Sequence, residues 1–218
     1  MNKYFFTVLL VVVLSANNVQ AQFTFGVRAG LNSTKIWGGV GRPTGMKAGF
    51  QFGTVADYSF SDKFSIEPKL LFSTQGFKNQ MSTTNPVNGK KCKIKEIESP
   101  NYIQIPVHVK YKLGNIVSVY AGPYLGFAIG GKRKMITIED GKKIYTAYPK
   151  LFKRDTDGRL MSVYERRFDY GFGFGVAMKF NNIQIGFEGN QGFVGIKQET
   201  TSDKNGCLAL IAAYMFGK

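Results

Sequence analysis

The sequence predicts an all-β protein, an eight-stranded antiparallel up-and-down transmembrane β-barrel preceded by a cleavable signal peptide. Three observations predict it: a strict two-residue alternation, a large volume difference between the two faces so defined, and connections that are alternately long and short. The alternation is clearest where Phe168, Tyr170, Phe172, Phe174, Val176, Met178 and Phe180 interleave with Asp169, Gly171, Gly173, Gly175, Ala177 and Lys179. Successive strand side chains point to opposite faces, so one face is bulky and apolar while the other is small or charged. An eight-stranded barrel is only just wide enough inside to be filled by side chains, and a row of Phe, Tyr, Ile and Leu from every strand would overfill it. Gly, Ala and occasional charges fit, so the chain reads inside-out, with apolar side chains toward hydrocarbon and small or polar ones toward the lumen.

Residues 1–21 read as a targeting segment: Lys3 supplies a positive start, an apolar run extends from Tyr4 to Leu14, and Val19-Gln20-Ala21 resembles a signal-peptidase site. That run is too short to cross a bilayer as a helix, which takes about 20 residues. One barrel domain, residues 22–218, is expected to follow.

The first strand sets Phe23, Phe25, Val27, Ala29 and Leu31 against Thr24, Gly26, Arg28, Gly30 and Asn32, and a Gly-rich connection through Trp37, Gly38, Gly39, Gly41 and Pro43 follows. The second, over 47–60, turns Ala48, Phe50, Phe52, Ala56, Tyr58 and Phe60 outward and Gly49, Gln51, Gly53 and Asp57 inward. After a turn at Ser61-Asp62-Lys63, the third puts Phe64, Ile66, Pro68, Leu70 and Phe72 outward and Ser65, Glu67 and Lys69 inward, with Gln75 inward beyond it. Pro68 lacks an N–H for the ladder, so a bulge or an unpaired position is expected there. A long polar connection over 78–99 leads to the fourth strand, where Ile103, Ile105, Val107, Val109, Tyr111 and Leu113 alternate with Gln104, Pro106, His108, Lys110 and Lys112.

Gly114-Asn115 turns the chain into the fifth strand, over 117–129, and the longest connection, over 130–166, is expected to hold a small hairpin at Asp140-Gly141. The sixth and seventh strands meet at Asn181-Asn182, and the eighth carries Leu208, Leu210, Ala212, Tyr214 and Phe216 on one face. Three short turns then share one side with both termini, opposite four long loops, which is the asymmetry of bacterial outer-membrane barrels. Tyr58, Phe60, Phe64, Tyr111, Phe180, Tyr214 and Phe216 gather at the short-turn end as an interfacial girdle.

The formal net charge of +15 invites a nucleic-acid reading. The excess falls largely in two loops, over 78–95 and 132–167, with no repeated aromatic-basic motif, and an exported protein rarely meets nucleic acid. Outer-leaflet lipopolysaccharide does present phosphates, so Lys90, Lys91, Lys93, Lys132, Arg133 and Lys134 form a candidate patch for lipopolysaccharide or a partner; solvated loops are the alternative.

Gly171, Gly173 and Gly175 do not make a dinucleotide fingerprint, because they recur every second residue and no helix follows. Arg28, Lys47, Asp57, Glu67, Lys69, Lys110, Asp169, Lys179 and Glu188 are inward charges, expected to plug the bore rather than line a channel. Among them Arg28, Glu67, Lys69, Lys110, Asp169 and Glu188 are expected to join His108 in a neutralised polar network. His108 is the sole histidine, so any Ser-His-acid lipid chemistry would have to use it, yet it sits toward the short-turn end, away from the outer leaflet. Cys92 and Cys207 lie on the long-loop side in an oxidising compartment and form a candidate disulfide. No metal site and no cofactor are expected.

The segments Phe25-Gly26-Val27-Arg28-Ala29-Gly30-Leu31-Asn32, Phe60 to Ser73 with Gly76 after it, Ile103 to Leu113, and Ala121-Gly122-Pro123-Tyr124-Leu125-Gly126 resemble the PorT-like outer-membrane β-barrel family of Bacteroidota. The resemblance covers nearly all of the chain beyond residue 21, and the namesake of that family serves protein secretion across the outer membrane. It implies a non-enzymatic outer-membrane barrel, a scaffold or accessory in envelope transport or surface interaction, with lipid, lipopolysaccharide and secretion-apparatus or other envelope proteins as partners. The basic fifth-to-sixth strand loop departs from the family pattern. A lipid-modifying enzyme using His108, and a surface adhesin or ligand-binding barrel, are the alternative readings.

Overall fold

The computed structural model describes residues 22–38, 45–84, 89–152, 164–196 and 203–216. The signal-peptide reading of residues 1–21 lies outside the described residues. Ten strands form among them: β1 (Gln22–Trp37), β2 (Lys47–Ser59), β3 (Phe64–Thr74), β4 (Phe77–Thr84), β5 (Lys91–Leu113), β6 (Val117–Glu139), β7 (Lys142–Ala147), β8 (Phe168–Phe180), β9 (Ile183–Gly195) and β10 (Lys204–Met215).

Eight of them close a ring in the order β1-β2-β3-β5-β6-β8-β9-β10, with β10 pairing back to β1, and every pairing is antiparallel. The wall is inside-out as read from the sequence. Phe23 is 63% exposed and Leu31 70%, while Glu67 and Glu188 are 1% and 0% exposed. At the short-turn end Phe64 stacks on Phe60 and meets Tyr111 at a tilt, at centroid distances of 6.2 and 4.9 Å, and Phe216 meets Phe25 at a tilt and Tyr214 edge-on at 5.4 and 5.2 Å. The β2–β3 ladder lapses opposite Pro68, between the Val55–Lys69 and Tyr58–Ile66 pairs, and resumes in unchanged register. The missing N–H therefore costs a ladder bond without inserting a bulge.

The structure corrects three connections. The segment 78–99 is no loop: β4 folds back on the first turns of β5, pairing Phe77 with Glu98 through Thr84 with Lys91. Trp37 ends β1 rather than opening a connection. The β6 strand runs on to Glu139, where Asp140 (φ 46°) and Gly141 (φ 80°) make the expected tight turn into β7. Both turn residues take positive φ, which is why Asp-Gly stands there. The strands β5 and β6 are each 23 residues long, and their upper parts form, with β4 and β7, a four-stranded sheet beyond the barrel mouth.

That sheet joins the wall at one irregularity. Tyr102 pairs with Ala128 but Asn101 pairs with Gly130, so Ile129 is an extra residue on β6. The bulge shifts the alternation of β6 by one residue relative to β5.

Candidate functional site: the barrel interior and the extracellular sheet

The glycine row of β8 has a packing reason. A Cβ on Gly171 would lie 2.7 Å from the Tyr124 ring, one on Gly173 2.9 Å from His108 Nε2, and one on Gly175 2.6 Å from Tyr120 Oη. The row of missing side chains on β8 is the space that β5 and β6 fill with two phenols and an imidazole.

Around these rings runs the ion-pair network. Arg28 Nη2 lies 2.9 Å from Glu188 Oε2, Lys69 Nζ lies 3.2 Å from the same oxygen and 3.0 Å from Glu67 Oε1, and Lys110 Nζ bridges Glu67 to Asp57, 2.6 Å away. Three cations face three carboxylates, which is why burial of five of them, with Asp57 half-buried at the edge, is tolerated: each desolvated charge has an opposite charge in contact. Lys69 Nζ also sits 2.9 Å from His108 Nδ1. An ammonium has only donors, so Nδ1 accepts and the imidazole proton is on Nε2. The His108 ring is wholly buried and stacks on Tyr120 at 5.3 Å, and Lys69 Nζ lies 4.5 Å from the Tyr120 ring centre. Strands β1, β2, β3, β5, β6 and β9 are thereby tied across the bore.

Asp169 does not join this network. It forms a second cluster nearer the long-loop end, accepting from Tyr124 Oη at 3.1 Å and from Asn205 Nδ2 at 3.0 Å, while Tyr164 Oη donates to Asn205 Oδ1 at 3.0 Å. Above it, Ile36, Phe77, Tyr164 and Ile196 form an apolar cap, with Phe152 packed against them. Burial in that cap raises the Tyr164 phenol well above its ordinary value, so it remains a neutral donor. At the other end a vestibule of about 110 Å³ opens between Asp57, Lys110, Lys112, Lys179 and Gln184. Lys179 stands exposed there, at the mouth rather than in the plug.

The six basic residues of the candidate patch do not form one cluster. Lys90, Lys91 and Lys93 lie at the tip of the extracellular sheet, whereas Lys132, Arg133 and Lys134 lie at its foot. Arg133 turns to the opposite face from its neighbours and bonds Glu96 Oε1 at 2.9 Å, with Glu98 3.4 Å away. Lys90 pairs with Asp140 at 3.5 Å. Cys92 and Cys207 are free thiols, each buried. The disulfide reading fails because Cys92 is carried away from the wall on the β5 extension, paired with Thr83 and Glu139, while Cys207 stays in the wall opposite Thr34.

The family model of the outer membrane protein beta-barrel domain matches residues 15–198. The chain belongs to that family. No curated protein matches the sequence. Among solved structures it is similar to the attachment invasion locus protein Ail of Yersinia pestis, at 14% identity over 89% of this chain and 99% of that one, TM-score 0.44. It is similar also to Neisserial surface protein A, at 13% identity over 88% and 97% of the two chains, TM-score 0.41, and to OprG of Pseudomonas aeruginosa, at 13% over 92% and 99%, TM-score 0.36. Family membership and the lipid-facing wall place this barrel in the outer membrane.

Parity located Arg28, Glu67, Lys69, His108, Lys110 and Glu188 correctly in the lumen, since only inward positions tolerate them. Parity also turns Tyr120 and Tyr124 of the fifth strand inward, as found, without marking them as part of the site, and it did not single out Tyr102, Tyr164 or Asn205. A bulky residue at an inward position opposite a glycine row was the available signal for Tyr120 and Tyr124. Nothing in the sequence marked Asn205, which lies at the foot of β10 in what read as a polar loop.

Proposed function

We propose that the protein is a non-conducting, non-enzymatic outer-membrane anchor that holds the four-stranded sheet of β4, the upper parts of β5 and β6, and β7 at the cell surface as its contact region. The observation that carries this reading is the division of labour along β5 and β6: below Asn101 they build a wall around a filled bore, and above it they leave the wall as a sheet. Six neutralising charges and an apolar cap occupy the bore, so little of the molecule is arranged for passage. The resemblance of the wall to PorT-like barrels supports a finer role, as an accessory to protein transport or to other envelope proteins. Exposed Ile144, Tyr145 and Tyr148 on and beside the edge strand β7 suit such a contact, since large apolar groups on an edge are poorly served by water.

Two measurements test it. In planar bilayers the purified barrel gives no unitary conductance, and a stable ohmic channel overturns the anchor reading. A photo-crosslinking residue at Ile144 captures an envelope protein in intact cells while one at Lys63, on the opposite end, does not; equal capture at both ends overturns the contact role of the sheet. His108→Ala leaves the lipid A mass spectrum of the host unchanged on this reading, and a changed spectrum would favour lipid modification instead.

A further inference from the structure

The β5–β6 ladder above the mouth carries its charges by face. Its successive outward rungs pair Ser99 with Lys132, Ile97 with Lys134, Lys95 with Ile136, and Lys93 with Ile138, and Lys91 follows on the next rung. Each of the four paired rungs presents one lysine and no acid, and Asp140, whose N–H bonds the Lys91 carbonyl, has its carboxylate 3.5 Å from Lys90. Glu96, Glu98 and Glu139 all fall on the other face, where Glu96 and Glu98 meet Arg133. The neighbouring β4 adds Lys78 to the lysine face, opposite Ile97, and only neutral Gln80, Ser82 and Thr84 beside it. None of the ion pairs formed within 4 Å among the described residues includes Lys91, Lys93, Lys95, Lys132 or Lys134.

The direction of this face follows from the strand. The β5 alternation passes the mouth without an extra residue, so Lys91, Lys93 and Lys95 continue the row of Ile103, Ile105, Val107 and Val109, which faces lipid. The Ile129 bulge on β6 brings Lys132 and Lys134 onto the same side. Without it Lys132 would oppose Glu98 on the inward face. The rungs are spaced about 7 Å apart, two residues of strand, so the row climbs away from the membrane surface over roughly 27 Å of strand. The first anionic groups on that side are those of the lipids packed around the barrel.

We propose that this outward lysine row binds the phosphate groups of the phosphorylated glycolipid surrounding the barrel in the outer leaflet, Lys132 and Lys134 at the headgroup and Lys95, Lys93 and Lys91 along the sugars above it. Lysine suits such a ligand, because a mobile point charge on a long stem follows phosphates of no fixed orientation. The assignment rests on reading the sheet as a contact region. It adds that the sheet's outward face is taken by lipid, which leaves the β7 edge for protein.

The test uses the full barrel in phosphatidylcholine nanodiscs, titrated with a lipopolysaccharide that carries phosphates on both its lipid A and its core sugars, or with its dephosphorylated counterpart. Replacing Lys91, Lys93, Lys95, Lys132 and Lys134 with Gln weakens capture of the phosphorylated lipid by about tenfold or more, since each basic residue near an anionic surface contributes appreciably. The corresponding Arg variant retains it, added salt weakens it, and Lys63→Gln/Lys179→Gln at the short-turn end leaves it unchanged. Lys91→Gln/Lys93→Gln/Lys95→Gln, confined to the extension, gives a partial loss and covers failure of the larger variant to assemble. Capture by the Gln variants equal to wild type, or equal capture of the dephosphorylated lipid, overturns the proposal. Crosslinking at Ile144 that persists in such a case shows the contact reading surviving without it.

Discussion

The lower and upper parts of β5 and β6 are the same two strands in two media. Below Asn101 the outward row is Ile103, Ile105, Val107 and Val109 and the inward row includes Gln104, His108 and Lys110. Above it the outward row is Ser99, Ile97, Lys95, Lys93 and Lys91 and the inward row holds Cys92, Ile94, Glu96 and Glu98. The two strands stay paired across the change with one bulge at Ile129, so pairing alone does not decide what a face carries. The surrounding medium does: hydrocarbon demands apolar groups, and the water and phosphates beyond it accept charge. The inward side pairs its charges in both parts, below as three cations with three carboxylates and above as Arg133 between Glu96 and Glu98.

The largest effect on this comparison is expected from Glu188→Leu. Glu188 is 0% exposed and serves both Arg28 and Lys69, so its loss strands the Arg28 guanidinium, leaves Lys69 with Glu67 alone, and costs about 3–5 kcal/mol, read as a lower urea midpoint of the reconstituted barrel. Phe174→Lys, near the middle of β8 and facing lipid, costs about 2–4 kcal/mol in the same assay. Lysine is thus harmful on the lower outward row and harmless on the upper one. Arg133→Ala loosens the sheet by about 1–2 kcal/mol, seen as faster proteolysis within residues 89–152 with the barrel midpoint unmoved. The smallest effect on stability, near zero, comes from Lys95→Cys and Ile105→Cys. In whole cells a membrane-impermeant maleimide labels the first and not the second, although both lie on one face of one strand.

The wall was legible in the sequence because lipid and lumen impose opposite demands on alternate residues, and a period of two survives any uncertainty about strand ends. The Asp140-Gly141 hairpin was legible for a local reason, the positive φ that its turn requires. The β4–β5 hairpin was not. Both faces of that sheet meet polar surroundings over much of their length, so Lys78, Gln80, Ser82 and Thr84 on β4 lack the apolar partner row that marks a strand. The bulge at Ile129 was also hidden, and with it the separation of Arg133 from Lys132 and Lys134, because adjacent basic residues look like one patch until register assigns them to faces. In the interior, charges declared themselves by being intolerable anywhere else in the wall, whereas Asn205 and the tyrosines around Asp169 are unremarkable in a loop or at an interface.

The apolar cap takes Ile36 from the end of β1, Phe77 from the start of β4, Phe152 from beyond β7, Tyr164 from before β8 and Ile196 from just after β9. These side chains are spread over 160 positions of the chain, from 36 to 196, and meet only where the ring brings these strand ends together. Ile36 on β1 and Ile196 after β9 are held on either side of β10, so the seal is complete only in the closed ring. The cap is thereby a structural mark of closure, since a ring lacking β10 has no wall between two of its members.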